Sequence, residues 1–180
     1  MQAHELAAQG PVGDLQRAAE QNPYDARAFR QAMGRFATGV VIVTASEENG
    51  RPVGLTLNSF NAVSLAPPLI LFSVARSARS LDHLVRAQAF VANVLHRGQE
   101  ALSDQFASST SSKWEGVDYE SGLEGAPLIS GALAHFECAP YARHDGGDHI
   151  IFLGEVRKFR ASVDESPLIY YRGRYRDLGG

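Results

Sequence analysis

The sequence predicts a mainly β chain with short helices, whose strands form a largely antiparallel sheet closed into a barrel. Three observations carry this. Short runs rich in Val, Ile, Leu and Phe recur between turn residues from Val40 onward. The connections between them are hairpin-like, with Asn49-Gly50 and Asp145-Gly146-Gly147 as turn signals. Helical stripes are few and short.

Taken in order, residues 1–24 are rich in Ala and Gln, are broken by Gly10-Pro11 and Pro23, and lack a sustained apolar stripe, so they read as an extension. The domain proper is expected over 25–180. Phe29, Ala32, Met33, Phe36 and Ala37 recur at helical spacing behind Asp25, a natural N-cap, which predicts an amphipathic helix ended by Gly39. Val40 to Thr44 is β-branched and apolar on both faces, hence a buried strand, and the Asn49-Gly50 turn follows it. Further strands are expected at Val53–Phe60, Ala62–Leu65, Leu69–Val74 and Phe90–Leu95. Short helices are expected at Ser77–Ala87 and Gln99–Phe106. After a polar loop, Ser108 to Ser112, two strands at Ala132–Ala139 and His149–Phe159 form a hairpin, and Leu168–Tyr171 closes the set before an Arg/Tyr/Gly tail.

At 180 residues the chain suffices for one core of ordinary size. Its net charge of −3, with both signs scattered, offers no basic stripe for nucleic acid. The single cysteine, Cys138, excludes an internal disulfide and suits a reducing compartment. No secretory signal and no membrane-length apolar run is legible, so a cytoplasmic protein without membrane attachment is expected. On the strand Ala132–Ala139 the alternation sets Cys138 with Ala134 and Phe136, in the core.

Familiar nucleotide and hydrolase motifs are missing: no Walker A loop, no G-x-G-x-x-G after a strand, no H-E-x-x-H and no G-x-S-x-G. Three clusters remain. Thr56-Leu57-Asn58-Ser59-Phe60 puts small polar side chains where a core strand would carry Val or Ile. It is either an edge strand with a solvated face or a row of short donors and acceptors for a flat heterocycle, extended by Ser64. Ser77-Ala78-Arg79-Ser80 opens an expected helix, so it reads either as serine capping or as a phosphate site of N–H groups, hydroxyls and a guanidinium. Gly147-Asp148-His149 begins a strand. There the histidine is either structural or functional, and with His144 and Asp148 it makes too weak a ligand set for a metal to be expected. The tail Tyr170-Tyr171-Arg172-Gly173-Arg174-Tyr175-Arg176 could stack on a nicotinamide or simply be solvated.

Read together, these segments resemble the flavin reductase family with the FMN-binding split-barrel fold, the reductase component of two-component flavin monooxygenases. The resemblance runs from Phe29-Arg30 and Phe36-Ala37-Thr38-Gly39-Val40, through Gly54-x-Thr56-x-Asn58-Ser59-Phe60 and Val63-Ser64-Leu65-x-Pro67-Pro68-Leu69. It continues in Ser77-x-x-Ser80, Phe90-x-x-Asn93-Val94-Leu95, Gln99, Phe106 and Gly147-Asp148-His149, and ends in Pro167-Leu168-x-x-Tyr171-x-Gly173-x-Tyr175. It implies a homodimer of split barrels that binds FMN or FAD, oxidises NADH or NADPH, and releases reduced flavin to a separate monooxygenase. By the same resemblance, Thr38 and Gly39 border the isoalloxazine, and Thr56, Asn58, Ser59 and Ser64 meet its polar edge and ribityl chain. Ser77 and Ser80 hold the phosphate, and His149, with Tyr171 and Tyr175, lies on the nicotinamide side. A non-catalytic flavin-binding or flavin-sensing protein on the same fold is the alternative, and an oxidase of a phosphorylated vitamer is a more distant one.

Overall fold

A computed structural model of the chain describes residues 25–110, 112–162 and 166–178. The expected extension over 1–24 lies outside the described residues. The chain divides into two compact units, the first ending at Met33 and the second running from Gly34.

Within the first unit, α1 (Ala26–Met33) is capped as expected: Asp25 Oδ1 accepts the Arg27 N–H at 2.8 Å. It stops four residues short of the sequence stripe. Gly34 is a poor helix former, and its carbonyl accepts the Arg172 N–H at 2.8 Å instead of continuing the helix. Phe36 and Ala37 therefore lie beyond the helix, and Thr38–Gly39 forms β1.

The second unit is built on a seven-stranded antiparallel sheet. Its members are β2 (Val41–Ser46), β3 (Pro52–Leu57), β4 (Asn61–Leu65), β5 (Pro68–Ala75), β6 (Phe90–Val94), β9 (Ala134–Gly146) and β10 (His149–Ala161), in the order β3-β2-β6-β9-β10-β5-β4. The sheet curls on itself. Phe72 of β5 meets Phe90 of β6 edge to face at 5.0 Å, although β9 and β10 stand between those strands in the sheet, and Phe72 stacks on Phe152 at 5.1 Å. The interior holds Val41, Val43 and Ala45 from β2, Ile70, Phe72 and Val74 from β5, and Phe90, Cys138 and Phe152, with Leu81 and Leu84 of α2 (Leu81–Arg86) packed among them. No ladder joins β3 to β4, so the barrel is split along that seam.

The opposite face of β2 is covered too. Val40 and Ile42 pack with Leu95, Phe106, Ile129 and Leu168 beneath α3 (Glu100–Ala107), which accounts for the unbroken apolar run in the sequence. The expected strand at Leu168–Tyr171 is β11 (Ile169–Tyr171), and its partners β1 and β12 (Arg174–Arg176) escaped the sequence reading, as did the pair of β7 (Tyr119–Ser121) with β8 (Pro127–Ile129). Each is two or three residues long, too short for an alternation to register. Their geometry comes from partners: Asn93, fully buried, accepts the Ile129 N–H on Oδ1 at 2.8 Å and donates to the Ile42 carbonyl at 2.9 Å, pinning β8 to the barrel.

Cys138 sits in the barrel interior with no exposed surface, and burial pushes its thiol up to about 12. It should therefore resist alkylation at neutral pH in the native protein and react fully in denaturant. Labelling of the folded chain at the rate of a small free thiol would place it at the surface instead.

Candidate active site

A cleft of about 900 Å³ opens over the seam of the barrel, a size suited to a small-molecule ligand. One wall is β3 with Asn58 and Ser59; the other is the end of β5, from Ser73 to Ala75, and the turn Ser77–Ser80; the segment Ser108–Thr110 and Lys113-Trp114 closes a third side. That third side lies close because Gly54 has no side chain. A Cβ there would stand 2.7 Å from Phe106 Cε1 and 3.3 Å from Trp114 Cζ2, so the glycine lets α3 and the Trp114 loop press on β3. The Thr56 hydroxyl fixes the same contact by donating to the Ser103 carbonyl of α3 at 2.7 Å.

The structure brings six of the expected site residues to this cleft: Thr56, Asn58, Ser59, Ser77, Ser80 and His149. Their hydroxyls are not equally available. Besides Thr56, Ser59 Oγ accepts the Ser73 N–H at 2.9 Å and donates to the Ser73 carbonyl at 3.1 Å, while Ser80 Oγ reaches the Gly54 carbonyl at 3.4 Å. Asn58 and Ser77 are exposed, and their side chains make no hydrogen bond among the described residues.

The Ser77–Ser80 segment differs from its expected form. It is a turn, and α2 begins only at Leu81, with no side-chain cap from Ser80. The reason is packing: Leu81 and Leu84 fill the end of the barrel, and the turn before them is shaped by backbone bonds from Ala78 N–H to Ala75 O and Leu81 N–H to Ala78 O.

His149 starts β10, paired with Ala75 on one side and Gly146 on the other. Its Nδ1 lies 2.7 Å from Asp148 Oδ1, and that hydrogen bond holds the Asp148 carboxyl below the usual carboxylate range. An ionised carboxylate can only accept, so Nδ1 carries the proton and Nε2 is left for a ligand. The hairpin tip is tied down by Arg76, whose backbone N–H donates to the Asp148 carbonyl at 2.8 Å and whose Nε donates to the Gly147 carbonyl at 2.8 Å.

The other expected residues lie elsewhere in the chain. Thr38 and Gly39 of β1, Tyr171 of β11 and Tyr175 of β12 belong to the small three-stranded sheet, outside the cleft lining. The Tyr175 hydroxyl donates toward Asp104 Oδ1 at 2.7 Å and lies 2.8 Å from Ser103 Oγ, and Thr38 Oγ1 is buried with no partner among the described residues. Ser64, on β4, uses its hydroxyl to accept the Ala66 N–H at 3.2 Å and does not line the cleft.

Sequence reasoning missed Lys113 and Trp114, which follow a serine-rich loop and carry no local pattern. Lys113 donates to the Phe106 carbonyl at 2.7 Å and Arg79 to the Ser109 carbonyl at 2.7 Å. Burial, and then the nearby Arg79 charge, hold the Lys113 ammonium below its ordinary range. Neither cation has a carboxylate partner among the described residues, so the Ser77–Ser80 side of the cleft carries uncompensated positive charge suited to an anion.

Known proteins resemble this chain over most of its length. The flavin reductase like domain matches residues 33–179. The reductase subunit of a flavin-dependent monooxygenase from Rhodococcus jostii is 40% identical over 86% of this chain and 78% of its own length. An FMN reductase (NADH) from Agrobacterium fabrum is 42% identical over 84% of this chain and 85% of its own. Among solved structures, the NADH:FAD oxidoreductase of Streptomyces globisporus, in complex with NAD and FAD fragments, superposes with a TM-score of 0.83 at 40% identity, covering 88% of this chain and 95% of that one. With the split barrel and its seam cleft, these matches place the chain in the flavin reductase family.

Proposed function

We propose that the seam cleft takes FMN or FAD together with NADH or NADPH, and that Asn58, Ser77, Ser80, Arg79, Lys113 and His149 are the residues that receive them. The observation that carries this reading is the polarity of the cleft. Arg79, Ser77 and Ser80 stand on the Ser77–Ser80 turn and Lys113 on the adjoining side, neither cation with a carboxylate partner among the described residues; Asn58 on the β3 wall and Nε2 of His149 at the start of β10 likewise have no hydrogen-bond partner among those residues.

The residues fit a flavin phosphate: two cations without carboxylate partners and a Ser77 hydroxyl without a hydrogen bond, both among the described residues, supply charge and donors. When bound, the flavin supplies the N5 that accepts hydride from the nicotinamide C4, chemistry that needs stacking and exclusion of water more than an acid–base dyad. The chain's part is positioning. Asn58 can donate and accept along a heterocycle edge, Trp114 and Phe106 shield one side from water, and His149 can hydrogen-bond a carboxamide through Nε2. Thr38, Gly39, Ser64, Tyr171 and Tyr175 keep their proposed ligand roles only if a second copy brings them to the cleft.

A homodimer gives them that route. The outer edge of β4 leaves Val63 and Leu65 exposed, Leu65 at 93%, and Phe36 is 71% exposed. A related chain is the reductase subunit of a flavin-dependent monooxygenase, which supports delivery of reduced flavin to a separate oxygenase; the compartment proposed for that delivery is the cytoplasm. No helix among the described residues is long and apolar enough to cross a membrane. The relatives named as reductases favour turnover over flavin storage or sensing.

The test is nicotinamide oxidation with added free flavin, on the parent and on His149→Ala. A well-aligned hydrogen bond at the upper end of the usual range of about 0.5–1.5 kcal/mol corresponds to a factor of about ten, so the variant should lose roughly tenfold in kcat/KM for the nicotinamide, with much less change in flavin affinity. An unchanged hydride-transfer rate with collapsed flavin binding would move His149 to the flavin site, and absence of turnover in the parent would remove the reductase reading.

A further inference from the structure

We propose that Ser59 is a positioning residue, a clasp that anchors the β3–β4 crossover to β5 so that Asn58 faces the ligand; this rests on the reading of the cleft as the flavin site. The register shows why a clasp is needed. The backbone ladder of β4 on β5 reaches Asn61 opposite Leu71 and goes no further toward the cleft. Beyond it β5 keeps its other neighbour, with Ser73 opposite Ile151 of β10. The edge of Ser73 that faces the seam therefore has a backbone N–H and a carbonyl with no strand beside them.

Ser59 stands two residues before Asn61, where a continued ladder would place a residue opposite Ser73. Its hydroxyl replaces the missing rung, accepting the Ser73 N–H at 2.9 Å and donating to the Ser73 carbonyl at 3.1 Å. A serine hydroxyl has one proton, and here it is engaged. Ser59 has none left to give to a flavin nitrogen or oxygen, whereas the neighbouring Asn58 carboxamide has no partner among the described residues. The two residues divide the work: Ser59 holds the crossover against one wall of the seam, and Asn58 projects from the fixed crossover. Both line the cleft, so a loosened clasp moves the ligand-facing side chain and not only the backbone behind it.

Three measurements on the full chain test this, with FMN as the titrant. Ser59→Ala should speed amide exchange at Ser73 at least tenfold while Phe72 and Val74 change little. It should weaken FMN binding about as much as Asn58→Ala does, and the double variant should be little worse than either single one, because both remove the same contact. Ser59→Thr, which keeps the hydroxyl, should restore both readouts and shows that a loss in the alanine variant is not misfolding. Unchanged Ser73 exchange, or losses from Ser59→Ala and Asn58→Ala that simply add, would overturn the clasp and make Ser59 an independent ligand contact. Absence of FMN binding by the parent would instead overturn the functional reading, which the exchange measurement does not depend on.

Discussion

Replacing Arg79 and Lys113 together with Met should lower FMN affinity roughly a hundredfold and leave riboflavin affinity nearly unchanged. The two side chains reach the cleft from different segments, and among the described residues each is bonded only to a backbone carbonyl, Ser109 for Arg79 and Phe106 for Lys113. Neither charge is neutralised by a carboxylate among the described residues. A hydrogen bond to a charged group is worth about 1.5–3 kcal/mol, and because Arg79 is exposed the lower end applies, so two such bonds give about 3 kcal/mol. That energy corresponds to the hundredfold stated. Riboflavin lacks the phosphate and serves as the internal control. Titration of both ligands at fixed ionic strength checks the result. Equal losses for the two would show that these cations shape the cleft and do not bind a phosphate there.

Gly154→Ala should destabilise the fold by about 3 kcal/mol, a fall in Tm on the order of 10 °C. Gly154 is buried on β10, beside a register shift between Leu153 and Gly154. A Cβ added there would lie within 2.7 Å of Phe90 Cε2 and 3.0 Å from Cys138 Cβ. Phe90 cannot swing aside easily, since it is fully buried and held edge-on by Phe72 at 5.0 Å. The methyl must displace a strand or force a strained rotamer. Adding Phe90→Leu to Gly154→Ala should recover part of the loss, giving a non-additive pair. Thermal unfolding of the single and double variants decides this; a single variant within a degree of the parent would mean that the barrel interior has slack at this point.

The sequence alone determined the elements whose signals are local. The β-branched run at Val40–Thr44, found as the strand Val41–Ser46, the Asn49-Gly50 turn, the long hairpin around Asp145-Gly146-Gly147 and the core place of Cys138 all follow from alternation, turn chemistry and β-branching, which act between neighbours in the chain. The order and spacing of the Thr56, Ser77 and His149 clusters were legible for the same reason, and those clusters do meet in one cleft. Only the tertiary structure decided what each side chain is free to do. Thr56 and Ser59 read in sequence as short donors and acceptors for a ligand and Tyr175 as a ring that could stack on one, and only the fold shows that their hydroxyls meet Ser103, Ser73 and Asp104, residues 47, 14 and 71 positions away. Lys113 carried no local signal, and its place in the cleft lining depends on Gly54 admitting Phe106 and Trp114 against β3. Periodicity reports which face of a strand is buried. It cannot report which distant backbone group meets a hydroxyl or which cation lacks a carboxylate, because those depend on how the sheet curls and where its seam falls.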